Sequence, residues 1–284
     1  AAAFALLPVR PADALALAPM TDRICYLDEG DYVVLTRDKA QIYDAQDRAV
    51  TREVRKTALS GALIGKGGYR HFMLKEIFEQ PGVIGDTLRV FVNPQTRSIE
   101  LPDLPFDLAK TSRFTIVGCG TAFYAGMVAR YWFERIARVP VELDIASEFR
   151  YREAPLPKDG GPVFIYQSGE TADTLAALRY AKANGQAIVS VVNVPTSTIA
   201  RESDLILPTL AGPEIGVAST KAFTTQLAVL ACLAIATARA RGAIDAAKEA
   251  ELVMALTEVP ALATEVLNQA AAIEKLAHSV VEAR

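Results

Sequence analysis

The chain has 284 residues, enough for two compact units, and its 51% hydrophobic and 7% aromatic content suits a large packed core. A net charge of −3 with no basic block argues against nucleic-acid binding, which relies on clustered Lys and Arg against phosphates. The three cysteines, Cys25, Cys119 and Cys232, are far apart and odd in number, so they imply neither a disulfide framework nor a metal site and favour a reducing cytoplasm.

In chain order, Ala1–Leu7 is apolar but lacks a basic flank and an initiating methionine, which reads as a piece of a longer chain rather than a leader. The stretch "DYVVLTRDKAQIYDAQDRAV" alternates apolar and polar residues around an Asp-rich turn, so the first seventy residues are expected to be antiparallel β-structure. "IGKGGYR" is expected to be a hinge. "HFMLKEIFEQPG" reads as a helix that Pro81-Gly82 stops, followed by a proline-punctuated connector from Asn93 to Leu108. His71 and His278 match no metal spacing and are read as structural.

From Arg113 onward strands and helices alternate. The expected strands are 114–117, 141–145, 163–166, 188–192 and 205–207, with helices over 122–137, 171–183, 198–202 and 220–239. Continuously apolar strands imply helices on both faces of a parallel sheet. "VELDIA" instead alternates Val141, Leu143 and Ile145 with Glu142 and Asp144 and is expected at an edge. The fold class is therefore α/β, a flavodoxin-like five-stranded parallel sheet in order 2-1-3-4-5. Leu227–Ala238 is too short to span a bilayer and reads as an amphipathic core helix, and residues 244–284 read as helical.

In that strand order the loops "GCGTA" and "QSGET" meet at the switch point between adjacent strands, where open α/β sheets bind ligands. A helix N-terminus presents free amides; Ser168 and Thr171 add hydroxyls, and Gly169 permits close approach, which together suit a phosphate. The alternative is that Ser168 only caps and Gly169 only turns. Gly118 and Gly120 also invite a dinucleotide reading, with Asp144 near the ribose position, but Phe123 stands where the third glycine belongs. Cys119 sits at a helix start without a visible base and is read as inert. Glu214 and Lys221, in "EIGVASTKAF", are either chemical groups or a cap and a surface residue. No Ser-His-Asp arrangement, paired carboxylates or metal cluster is visible, so the residues describe a binding site without a catalyst.

The motifs "GCGTAFYAG", "EFRYR", "QSGETADTL", "NVPTSTIARESD" and "AGPEIGVASTKAFTTQL", in this order, resemble the first sugar isomerase (SIS) domain of the glucosamine-6-phosphate synthase family. "APMTDRICYLDEGDYVVLT" resembles the end of that family's glutaminase domain, and the resemblance runs over residues 12–284. It implies a glutaminase remnant over 1–66, a linker over 67–110, the SIS domain over 111–241 and a helical connector over 242–284. It also implies a homodimeric, cofactor-free enzyme that makes glucosamine 6-phosphate from fructose 6-phosphate and glutamine, with no nucleic-acid or membrane partner. By residue, Gln167, Ser168 and Thr171 would bind the phosphate within the Gly169 elbow. Thr121 would contact the sugar, and the Val217 backbone would approach its hydroxyls. Two positions depart from the family: Tyr166 and Ala122 each stand where it has serine, removing two donors and, at Tyr166, adding bulk. The family's catalytic residues fall outside this chain, so an inactive binding piece is expected; the alternative is a sugar-phosphate-sensing SIS module.

Overall fold

The computed structural model describes residues 21, 23–28, 30–56, 65–167, 171–195 and 197–281. The expectations made for Ala1–Leu7, Ser168 and Gly169 lie outside these residues. Two compact units are present, one up to Gly65 and one from Lys66.

In the first unit, β1 (Arg23–Cys25) pairs antiparallel with β5 (Val54–Lys56). Strands β2 (Tyr32–Leu35), β3 (Ala40–Tyr43) and β4 (Ala49–Val50) form an antiparallel meander. Tyr32 and Tyr43 are cross-strand partners with stacked rings 5.3 Å apart, the kind of pair that stabilises a ladder. The Asp-rich turn closes because Asp44 Oδ1 accepts the amides of Gln46 and Arg48 at 2.9 and 3.0 Å.

The second unit opens with α1, Phe72–Phe91, which runs through Pro81 instead of stopping there. Proline cannot donate to the carbonyl four residues back, which leaves the Ile77 oxygen without its helical partner. The Gln80 side chain supplies the missing donor, 3.1 Å from that oxygen, and the helix continues. The connector then holds a short hairpin, β6 (Val92–Asn93) with β7 (Ser98–Ile99).

Strands β8 (Phe114–Gly118), β9 (Val141–Ile145), β10 (Gly161–Ile165), β11 (Val189–Val192) and β12 (Leu205–Pro208) form one parallel sheet in the order β12-β11-β10-β8-β9. That is the 2-1-3-4-5 arrangement expected. Alternate residues point to opposite faces, and both faces are covered. Ile116, Val163 and Ile165 pack with α1, α2 (Thr121–Trp132) and α6 (Lys221–Ala240). Val117, Phe164 and Tyr166 pack beneath α3 (Ala146–Phe149), α4 (Ala172–Ala183) and α5 (Thr198–Glu202). The last turn of α2 widens into a π-helical turn, Phe133–Ala137, which Arg138 ends in a left-handed conformation.

Strand β9 is at the edge, as its alternation implies, and its burial does not follow the alternation at the end. Ile145 is 42% exposed and Asp144 only 8%. Arg152 explains the inversion by donating to Asp144 Oδ2 at 2.6 and 2.9 Å and to Glu142 at 2.6 Å, so two carboxylates on one strand share a guanidinium. This engagement removes Asp144 as a free ribose ligand.

Helix α6 is longer than the expected Leu227–Ala238 segment and, at 20 residues, passes as a membrane span by length and composition. Its most apolar window is 72% buried inside the protein, with flanks in the core as well as one face. The N-terminus of α7 (Ala246–Leu267) is capped by Asp245, which accepts the Lys248 amide at 2.8 Å, and α8 (Ala270–Val280) follows. His71 precedes α1 and His278 lies in exposed α8.

Candidate functional site

A cavity of about 110 Å³ opens beyond the carboxyl ends of β8 and β10, lined by Cys119, Thr121, Ala122, Ile165, Tyr166, Gln167, Thr171, Thr174 and Gln226. Residues of the "GCGTA" and "QSGET" loops thus share one cavity, because parallel pairing of β8 with β10 brings the two strand ends side by side. Helices α2 and α4 begin there. Their N-cap residues, Gly120 and Thr171, make no side-chain capping bond of their own, so neither N-cap side chain occupies the amides that the helix starts turn toward the cavity.

Two glycines shape this entry. Gly120 has φ 57°, the left-handed region that favours glycine. Close packing of helix on strand, the role of a third fingerprint glycine, falls to Gly126. A Cβ there would lie 2.8 Å from Ile116 Cγ2 and 3.1 Å from Leu143 Cδ2.

Among the expected site residues, Thr121, Gln167 and Thr171 line the cavity, and Val217 does not. Val217 is fully exposed on the loop of residues 209–220. Tyr166 borders the cavity, yet its ring stacks on Phe164 with centroids 6.4 Å apart and planes 8° apart, so much of its volume fills the core. Burial pushes its phenol well above the ordinary value, which keeps it protonated; neighbouring Ser190 offsets part of the rise without closing a hydrogen bond of acceptable geometry. Burial likewise pushes the Cys232 thiol up to about 12, making it an inert core group. Thr174 and Gln226, 1% and 2% exposed, also border the cavity and were not anticipated. The available signal for Gln226 was an uncharged polar residue inside the most apolar helix.

Glu214 and Lys221 have other partners. The Glu214 carboxylate accepts the amides of Thr220 and Ala222 at 2.9 and 3.1 Å and the Ser219 hydroxyl at 3.0 Å, capping α6 from outside the helix. Lys221 is 3% exposed, hence no surface residue, and its ammonium meets Glu79 at 2.6 Å. Substituting Glu214→Ala removes these charge-assisted bonds and is expected to cost about 1–3 kcal/mol in denaturant unfolding. Unchanged stability would exclude the capping role.

Residues 107–236 match the SIS domain family. A glutamine–fructose-6-phosphate aminotransferase (isomerizing) of Bradyrhizobium diazoefficiens is 60% identical over 273 residues, covering 96% of this chain and 45% of its own length. The same-named protein of Zymomonas mobilis is 57% identical over 272 residues, with the same coverage. The solved C-terminal domain of glucosamine-fructose-6-phosphate aminotransferase from Francisella tularensis superposes with a TM-score of 0.72 at 40% identity, covering 77% of this chain and 61% of that one. The chain spans about 45% of the length of the curated relatives it matches. Its order of strands, its switch-point cavity and these likenesses agree: the chain carries an SIS domain and, over 96% of its length, is similar to about 45% of a glutamine–fructose-6-phosphate aminotransferase.

Proposed function

We propose that this chain is the sugar-phosphate-binding part of an enzyme that converts fructose 6-phosphate and glutamine into glucosamine 6-phosphate and glutamate. The observation that carries this reading is the pair of helix N-termini that meet at one cavity, with N-cap residues Gly120 and Thr171 making no side-chain capping bond, beside Thr121, Thr171 and Thr174. Two helix dipoles and their free amides favour an anion without needing a lysine. The phosphate is assigned to Gln167, Ser168, Gly169 and Thr171, the sugar to Thr121 and to the Val217 backbone. In this reading glutamine hydrolysis and isomerisation belong to the part of the relatives' length that this chain does not span. The working protein is a cofactor-free cytoplasmic homodimer with no nucleic-acid or membrane partner, and residues up to Gly65 belong to its glutaminase half.

Thermal unfolding of the chain with millimolar fructose 6-phosphate, glucose 6-phosphate or NAD tests this. A hexose phosphate at about a hundred times its Kd is expected to stabilise the fold by roughly 2.7 kcal/mol, a rise of several degrees. A rise with NAD alone, or with none of the three, overturns the reading.

A further inference from the structure

The loop of residues 209–220 joins β12 to α6 and has no regular structure of its own. Loops of this length are usually mobile unless something holds them. This one is held from both sides. Upstream of its tip, the Glu76 carboxylate on α1 accepts the Ile215 amide at 2.6 Å and the Gly216 amide at 3.0 and 3.1 Å. Downstream, Glu214 binds Thr220 and Ala222, as described. Val217 and Ala218 form an exposed tip between the two anchors.

Glu76 is 2% exposed, an expensive place for a carboxylate unless the burial is compensated. Backbone amides compensate it, and the approach is so close that a Cβ on residue 216 would lie 2.5 Å from Glu76 Oε2. A side chain at 216 would therefore have to displace the carboxylate that holds the loop. Glu76 also lies outside the matched SIS span of 107–236, so a helix preceding that domain immobilises a loop within it.

We infer that Glu76 is a positioning residue for sugar recognition: by fixing Ile215 and Gly216 it presents the Val217 main chain at a set place and so determines affinity for the sugar moiety rather than for the phosphate. The inference rests on the sugar-phosphate reading above. Its test compares Kd values for fructose 6-phosphate and inorganic phosphate in wild type, Glu76→Ala and Glu76→Gln. Losing bonds to a charged acceptor frees the tip, so Glu76→Ala is expected to weaken fructose 6-phosphate about tenfold while inorganic phosphate stays within about twofold. Glu76→Gln, whose amide oxygen can still accept both backbone N–H groups, is expected to recover most of the loss. Equal binding of fructose 6-phosphate by Glu76→Ala and wild type overturns the inference and leaves the sugar-phosphate reading standing. Equal weakening of both ligands also overturns it, because Glu76 then serves the fold alone. Failure of wild type to bind fructose 6-phosphate overturns both. Should Glu76→Ala not fold, amide exchange in wild type decides: slow exchange at Ile215 and Gly216 with fast exchange at Ala218 supports the clamp, and fast exchange at all three overturns it.

Discussion

Phe114→Ala is expected to lower the stability of the unit that begins at Lys66 by about 3–5 kcal/mol. Phe114 is fully buried at the start of β8, second strand from the edge. Its ring lies 4.5 Å from that of Phe133 on the covering helix and meets Phe106 edge-on at 6.1 Å. Its strand partner is Gly161, where an added Cβ would sit 3.0 Å from the Phe114 ring. Several elements thus converge on one ring, and their backbones cannot collapse into the space that alanine leaves. Trp132, the single tryptophan, packs against the same core, so its fluorescence follows this unit in urea. On a thermal scale the loss corresponds to roughly 6–20 °C. A loss below about 1 kcal/mol would show that the site collapses and that this ring is not central to the core.

The ion pair beneath the 209–220 loop is expected to respond unequally to loss of its two partners. Lys221 and Glu79 are 2.6 Å apart, but their side chains are 4% and 32% exposed, and Lys75 also lies 3.4 Å from Glu79. Glu79→Ala leaves an ammonium buried without its partner, a loss expected to cost about 3 kcal/mol. Lys221→Met fills the same space with an apolar chain, while Glu79 keeps Lys75 and water, so the expected cost is about 1 kcal/mol or less. Urea unfolding of both variants in one buffer checks the order. A larger loss for Lys221→Met would mean that the lysine's role is not set by burial.

Much of the architecture was legible because it depends on local pattern. Five apolar runs separated by helical periodicity imply a doubly wound sheet, and the sheet has the expected order. Helix α5 follows from "STIARE", where Ser197 accepts the Ala200 amide and starts the turn. The meander before it was equally plain in its alternation. The errors arose where a side chain overrode a local rule. Pro81 should end a helix, but Gln80 replaces the lost donor. The alternation of β9 says nothing of Arg152, which from eight residues away binds Asp144 and keeps it buried while Ile145 is exposed.

Local pattern was enough to settle the fold class, the order of strands, and the convergence of two polar loops on one crevice. Each follows from short-range periodicity and the handedness of parallel connections. The partners of the polar residues around the crevice came from packing alone. Lys221 meets Glu79 across 142 positions, and the Ile215 amide meets Glu76 across 139. No periodicity encodes such a pair, because a buried charge selects its partner by proximity in the packed chain. Gln226 became a cavity residue for the same reason: the packing of α6 against the sheet, rather than any motif around it, brings that side chain to the ends of β8 and β10.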